Sequence, residues 1–144
     1  MLFTMRAKIY GILLICLVCI TTVILFVPIH TLSRFSLYSS RIIHLENKTY
    51  QVFVADSDEE RYQGLSDITD KTQLEQKDGM VFVFPTSSIQ SFVNRRTYLN
   101  LKIYWLQDEI IVGTAELPAL NQNGNREVIV SSPSRVNEVV EIIE

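Results

Sequence analysis

Apolar and polar positions are distributed unevenly along the chain. From Ile9 to Ile29 the sequence reads "IYGILLICLVCITTVILFVPI", 21 residues without a charge. At helical rise that length crosses a hydrocarbon core of about 30 Å. Beyond it the pattern shifts to short runs. "TYQVFVAD" is rich in β formers and predicts a strand. "SDEERYQGL" predicts a short helix, with Ser57 as N-cap, Glu60 three residues on as a capping box, and Gly64 as the exit. "MVFVFP" is continuously apolar, as expected of a strand buried on both faces. "SIQSFVNRR" and "LNLKIYWLQ" predict two more strands, the second placing Leu99, Leu101, Ile103 and Trp105 on one face and Asn100, Lys102 and Tyr104 on the other. "QDE" is a tight connection into "IIVGTAEL", and Asn-Gly in "NQNGN" predicts a hairpin into "REVIVSS". "RVNEVVEII" closes the chain as a β-branched strand.

These elements divide the chain into a short N-terminus (1–8), a transmembrane segment (9–29), a Ser-rich connector (30–47) and a β-rich body (48–144). The connector reads either as a stalk or, through "RIIHLENK", as a first edge strand. For the body the pattern predicts an α+β, mainly β domain: about seven strands and one short helix, barrel-like or in two sheets. The apolar segment exceeds the roughly 7–15 residues of a signal-peptide core, which favours a retained anchor over export after cleavage. Arg6 and Lys8 precede it, and Arg34 and Arg41 follow. With no other span, the expected topology is single-pass with the body on the extracytoplasmic side.

Charge sharpens the division. Residues 48–144 hold nine basic and fifteen acidic side chains, a net of −6, which argues against nucleic acid as partner. Cys16 and Cys19 form a C-x-x-C within the apolar segment, where they serve as small apolar side chains rather than as accessible thiolates. Both histidines, His30 and His44, lie in the connector. The body therefore has no Ser-His or Cys-His nucleophile pair and no His-based metal site, and nothing in it marks a cofactor. The acidic run Asp58–Glu60 is explained by the positive end of a helix.

The most unusual stretch is "VNRRT", which sets Arg95 and Arg96 side by side with Lys102 soon after. Adjacent residues of a strand point to opposite faces. One reading is solvated edge residues that blunt strand pairing, the commoner use of such a pair. The other is an anion-binding patch of Arg95, Arg96, Thr97 and Lys102.

The order of "ADSDEERYQGLSD", "GMVFVFP", "SFVNRRT", "LNLKIYWLQ" and the terminal "NEVVEII" resembles the prokaryotic family known as domain of unknown function 192, over about residues 49–143. That family's pattern runs "ADTxxERxxGLM", "GMLFVF", "FWMKNT", "IPLDIIFID" and "YVLEL". The chain departs from it at Val93, Asn94, Arg95 and Arg96, which stand where the family has Trp-Met-Lys-Asn. It departs again at Asn100 and Lys102, which replace a Pro and an Asp. A facing Lys–Asp pair in the family would become like-charged here. The resemblance implies a small β-rich barrel, frequent export and no established activity. The resulting expectation is a membrane-anchored binding or accessory module of the envelope, with a glycan, peptide or protein as partner. An envelope-polymer hydrolase using paired carboxylates and a structural docking subunit are the alternatives.

Overall fold

A computed structural model of the protein describes residues 33–144. The apolar segment 9–29, Cys16, Cys19 and His30 lie outside the described residues. Among the described residues no helix is long and apolar enough to cross a membrane.

The β-branched and aromatic runs form the strands. In chain order these are β1 (Ser40–Leu45), β2 (Lys48–Ala55), β3 (Gly79–Ser88), β4 (Ser91–Val93), β5 (Leu101–Gln107), β6 (Ile110–Leu117), β7 (Ile129–Ser131) and β8 (Val136–Ile143). Among the described residues one α-helix, α1 (Asp58–Gln63), follows β2, and short 3-10 turns span Lys71–Leu74 and Leu120–Gln122. Six strands make one sheet in the order β1-β2-β3-β8-β5-β6, while β4 and β7 pair as a separate ribbon. Only β2 and β3 run parallel, which requires the long crossover that carries α1.

The central strands β3, β8 and β5 are buried on both faces, so period-two alternation sorts their side chains into two cores. Met80, Phe82, Ile103, Trp105, Val139 and Ile143 form the larger one, with Leu65, Ile68 and Leu74 from the crossover and Phe92 and Val130 from the ribbon. Val52, Val81, Tyr104, Leu106, Val140 and Ile142 form the second, on the opposite face. There the sheet coils toward itself. Lys102 on β5 comes within 3.6 Å of Glu46 in the β1–β2 turn, although three strands intervene between β1 and β5. Coiling stops short of closure, because β1 and β6 are left as the two sheet edges.

The domain is therefore mainly β with two sheets, eight strands and one short helix, and the barrel expectation is corrected to an open, coiled sheet capped by a ribbon. The capping box at Ser57 and Glu60 is present, and Gly64 leaves the helix at φ 46°. The "RIIHLENK" stretch is an edge strand, β1. Upstream of it, Phe35 stacks on Phe53 with ring centroids 4.6 Å apart, which ties residues before β1 to the main core. The hairpin expected at Asn-Gly does not form. Gly124 takes its positive φ, but β7 pairs with β4 instead of β6. The intervening Leu120–Gln122 turn carries the chain away from the β6 edge.

Candidate functional site

"SFVNRRT" does not continue as a strand. β4 ends at Val93, and Asn94 turns inward with no exposed surface. Its side-chain amide donates to the carbonyls of Pro118 and Arg126 at 3.0 and 3.2 Å, and its Oδ1 accepts from the Val128 amide at 2.8 Å. Asn94 thus clips the loop to the segment leading into β7, and its hydrogen-bonding groups are consumed in doing so. The following Arg95 and Arg96 lie in a turn, with Arg96 at φ 62°. The expected alternation of the two arginines across a strand is therefore replaced by a turn that leaves both exposed.

Each arginine is engaged by a carboxylate. Arg95 Nε donates to Glu127 at 2.6 Å and its Nη2 at 2.9 Å. Arg96 Nε donates to Asp67 at 2.9 Å, and its Nη2 pairs with the second oxygen of the same carboxylate. The hydrogen bonds from these arginines hold the Asp67 and Glu127 carboxyls below the usual carboxylate range. A loop-to-loop bond from the Asp67 amide to the Arg96 carbonyl, at 2.8 Å, fixes the turn against the segment after α1.

Between that turn, the end of α1 and the face of β3 and β8 opens a cleft of about 370 Å³. Phe82, Phe84 and Phe92 supply its aromatic walls, Ser91 and Thr97 its small polar groups, and Arg61, Arg95 and Arg96 its cations. Arg61 is largely buried. It donates to the Val83 carbonyl at 2.8 Å and to Asp58 at 2.5 Å, and so locks α1 onto the middle of β3. Gly64 keeps the wall thin, since a Cβ there would lie 3.2 Å from the Phe82 ring.

Glu141 also lines this cleft. It sits on β8 between Met80 of β3 and Ile103 of β5, on the face it shares with Val139 and Ile143. The residue is 4% exposed. Burial alone pushes its carboxyl up to about 8, with no hydrogen bond or neighbouring charge contributing. A carboxyl in such surroundings stays protonated at neutral pH, because nothing compensates the lost hydration of the anion.

Of the residues singled out by sequence, Arg95, Arg96 and Thr97 meet at this cleft and Lys102 does not. Lys102 lies on the second-core face, 4.9 Å above the Tyr104 ring and paired with Glu46. The like-charge conflict expected from its replacement of an Asp does not arise, since its neighbours are Glu46 and Tyr104. Among the described residues no three His, Cys, Asp or Glu side chains converge as a metal site. Sequence reasoning missed Glu141 although a signal was present. In "EVVEII" the two-residue period puts this Glu on the same face as Val139 and Ile143, inside a strand that is apolar on both faces.

The comparisons agree with this fold. No curated protein matches the chain. A Novosphingobium aromaticivorans protein of unknown function is similar in structure, with a TM-score of 0.58 and 18% identity over 74% of this chain and 73% of its own. A Sinorhizobium meliloti protein described as a candidate transcription regulator gives a TM-score of 0.55 and 22% identity over 74% of this chain and 81% of its own. Identities at this level speak to the fold alone. The family model for domain of unknown function 192, described as "Uncharacterized ACR", matches residues 41–144, and the chain belongs to that family.

Proposed function

We propose that this chain is a membrane-anchored, small-ligand-binding module of the cell envelope, and that the Glu141 cleft is its binding site. The observation that carries the reading is the Glu141 side chain, 4% exposed and without a side-chain hydrogen bond among the described residues, lining a cleft of about 370 Å³. Burying such a group without a partner costs stability, and a ligand that hydrogen-bonds to it recovers that cost. The cleft's volume suits a small-molecule site, and its lining sets the aromatic surface of Phe82, Phe84 and Phe92 among predominantly polar side chains. The uncharged 21-residue segment at 9–29 supports the anchor, with the body on the extracytoplasmic side. Arg95, Arg96 and Thr97 form the rim, and Lys102 has no part in it.

The hydrolase reading draws little from this geometry. Among the described residues Glu141 is the one carboxyl lining the cleft, whereas glycoside hydrolysis in most families uses two. The transcription-regulator description of the Sinorhizobium relative finds no electrostatic counterpart in a body of net charge −6.

Trp105, the single tryptophan, packs edge-on against Phe92 at 5.8 Å, and Phe92 lines the cleft. Titrating the full chain in lipid nanodiscs with a panel of small neutral, cationic and anionic compounds should change Trp105 fluorescence saturably for at least one of them. That response should be lost in Phe92→Ala and Glu141→Leu. A ligand whose binding survives both substitutions binds elsewhere, and that result, or no response across the panel, overturns the reading.

A further inference from the structure

We infer that the ligand of the Glu141 cleft is an uncharged, hydroxyl-bearing ring of monosaccharide type, a reading that deepens the proposed function and rests on it.

Charge is the first consideration. Every cation lining the cleft is already engaged: Arg61 by Asp58, Arg95 by Glu127 and Arg96 by Asp67. Arg95 and Arg96 each offer two nitrogens to their carboxylate, so their forks are occupied. The remaining ionisable lining group that could meet a cation, Glu141, lies in apolar surroundings between Met80 and Ile103. A ligand carrying net charge would enter a confined space and find no free countercharge. An anion would have to displace Asp67 or Glu127, and a cation would have to pass three guanidinium groups. Both carry a desolvation cost that a neutral ligand avoids.

The shape of the lining narrows the class further. Phe82 and Phe92 meet edge to face at 4.9 Å and leave aromatic surface toward the cleft. That surface suits the C–H face of a saturated ring. A protonated carboxyl provides one O–H donor and retains an acceptor. Thr97 adds a hydroxyl that donates and accepts, and Ser91 one that keeps part of that capacity beside its bond to the Ser131 hydroxyl at 2.8 Å. Groups with both capacities match a set of alcohol hydroxyls, each itself a donor and an acceptor. A purely apolar ligand would leave the Glu141 carboxyl without a partner, so the floor selects against it.

The test is a series that varies charge on a common hexose ring: N-acetylglucosamine and glucose as the neutral members, glucosamine as the cation and glucuronic acid as the anion. Each is titrated into the full chain in lipid nanodiscs at pH 7, read by Trp105 fluorescence and by saturation transfer to the sugar protons. The neutral sugars should bind saturably in the millimolar range, at least about tenfold more tightly than either charged member. Glu141→Leu should lose about tenfold, and Glu141→Gln, which keeps a donor and an acceptor, should lose less. A charged member that equals or exceeds the neutral ones overturns the ligand class while leaving the cleft as the binding site. Silence from all four sugars, with other small compounds still quenching Trp105 through Phe92, does the same. Silence of the sugars together with silence of every other small compound overturns both readings.

Discussion

Replacing Glu141 with glutamine should remove a pH-dependent cost built into the fold. The carboxyl is pushed up to about 8 by burial in the folded protein, and in the unfolded chain it returns to about 4.5. Between those values the unfolded chain has lost its proton and the folded chain has kept it. Stability must therefore fall as pH rises through this window, and it levels off above about 8. Each pH unit is worth about 1.4 kcal/mol, so the loss is about 3 kcal/mol by pH 7 and about 5 kcal/mol beyond pH 8. That is a large share of a small domain's 5–15 kcal/mol. Carboxyls held below the usual range act with the opposite sign and in another window. Glu60, held down first by the Ser57 amide, together with Asp67, Asp70 and Glu127, contributes stability that is lost only as the pH falls below about 4.5. The assay is urea unfolding of the wild type and Glu141→Gln at half-unit steps from pH 4 to 9. The difference between the two should open at about 1.4 kcal/mol per pH unit between about 4.5 and 8, then stay constant. Parallel curves across that range would refute the reasoning, since they would mean that Glu141 ionises as a solvated carboxyl does.

Other substitutions test neighbouring parts of the structure. Asn94→Ala leaves the Val128 amide and the Pro118 and Arg126 carbonyls without their side-chain partner and should cost about 3 kcal/mol in chemical denaturation. Gly79→Ala should cost at least about 3 kcal/mol or prevent folding, because a Cβ there falls 1.8 Å from the Glu141 carbonyl oxygen across the β3–β8 pair. Arg95→Ala and Arg96→Ala remove exposed ion pairs and should leave the melting temperature unchanged, in contrast with Asn94→Ala one or two residues away. Glu141→Leu should melt higher than the wild type at pH 8 while losing the cleft's ligand, which separates the group's cost to stability from its use in binding.

Local chemistry was legible in the sequence wherever it was decided by neighbours along the chain. The Ser57–Glu60 capping box, the Gly64 exit and the buried strand from Gly79 all follow from residues within a few positions of one another. Pairings set by distant residues were not legible. Asn-Gly reads as a hairpin, yet β7 finds its partner in β4, nearly 40 residues earlier, because the Leu120–Gln122 turn takes the chain off the β6 edge. Arg95 and Arg96 read as strand residues because nothing nearby reveals that Asn94 is drawn inward by Pro118, Arg126 and Val128. The same holds for Lys102, whose separation from the arginines depends on which face of β5 meets the ribbon. Glu141 is a different case. Its period-two neighbours announce a buried face, but its importance emerges only when the crossover, the ribbon and the "VNRRT" turn enclose a cleft above it.

The most direct test of the account follows the side-chain carboxyl carbon of Glu141 by NMR in the full chain at pH 7, while a ligand found by Trp105 quenching is added. Glu138, three residues earlier on β8 and bound bidentately by Arg41 on the other face, serves as the internal control. The account predicts that the Glu141 resonance starts at the protonated position and moves saturably with ligand, with the same midpoint as the fluorescence, while Glu138 stays fixed. A Glu141 resonance that starts at the ionised position, or that stays still while the ligand binds, would contradict it.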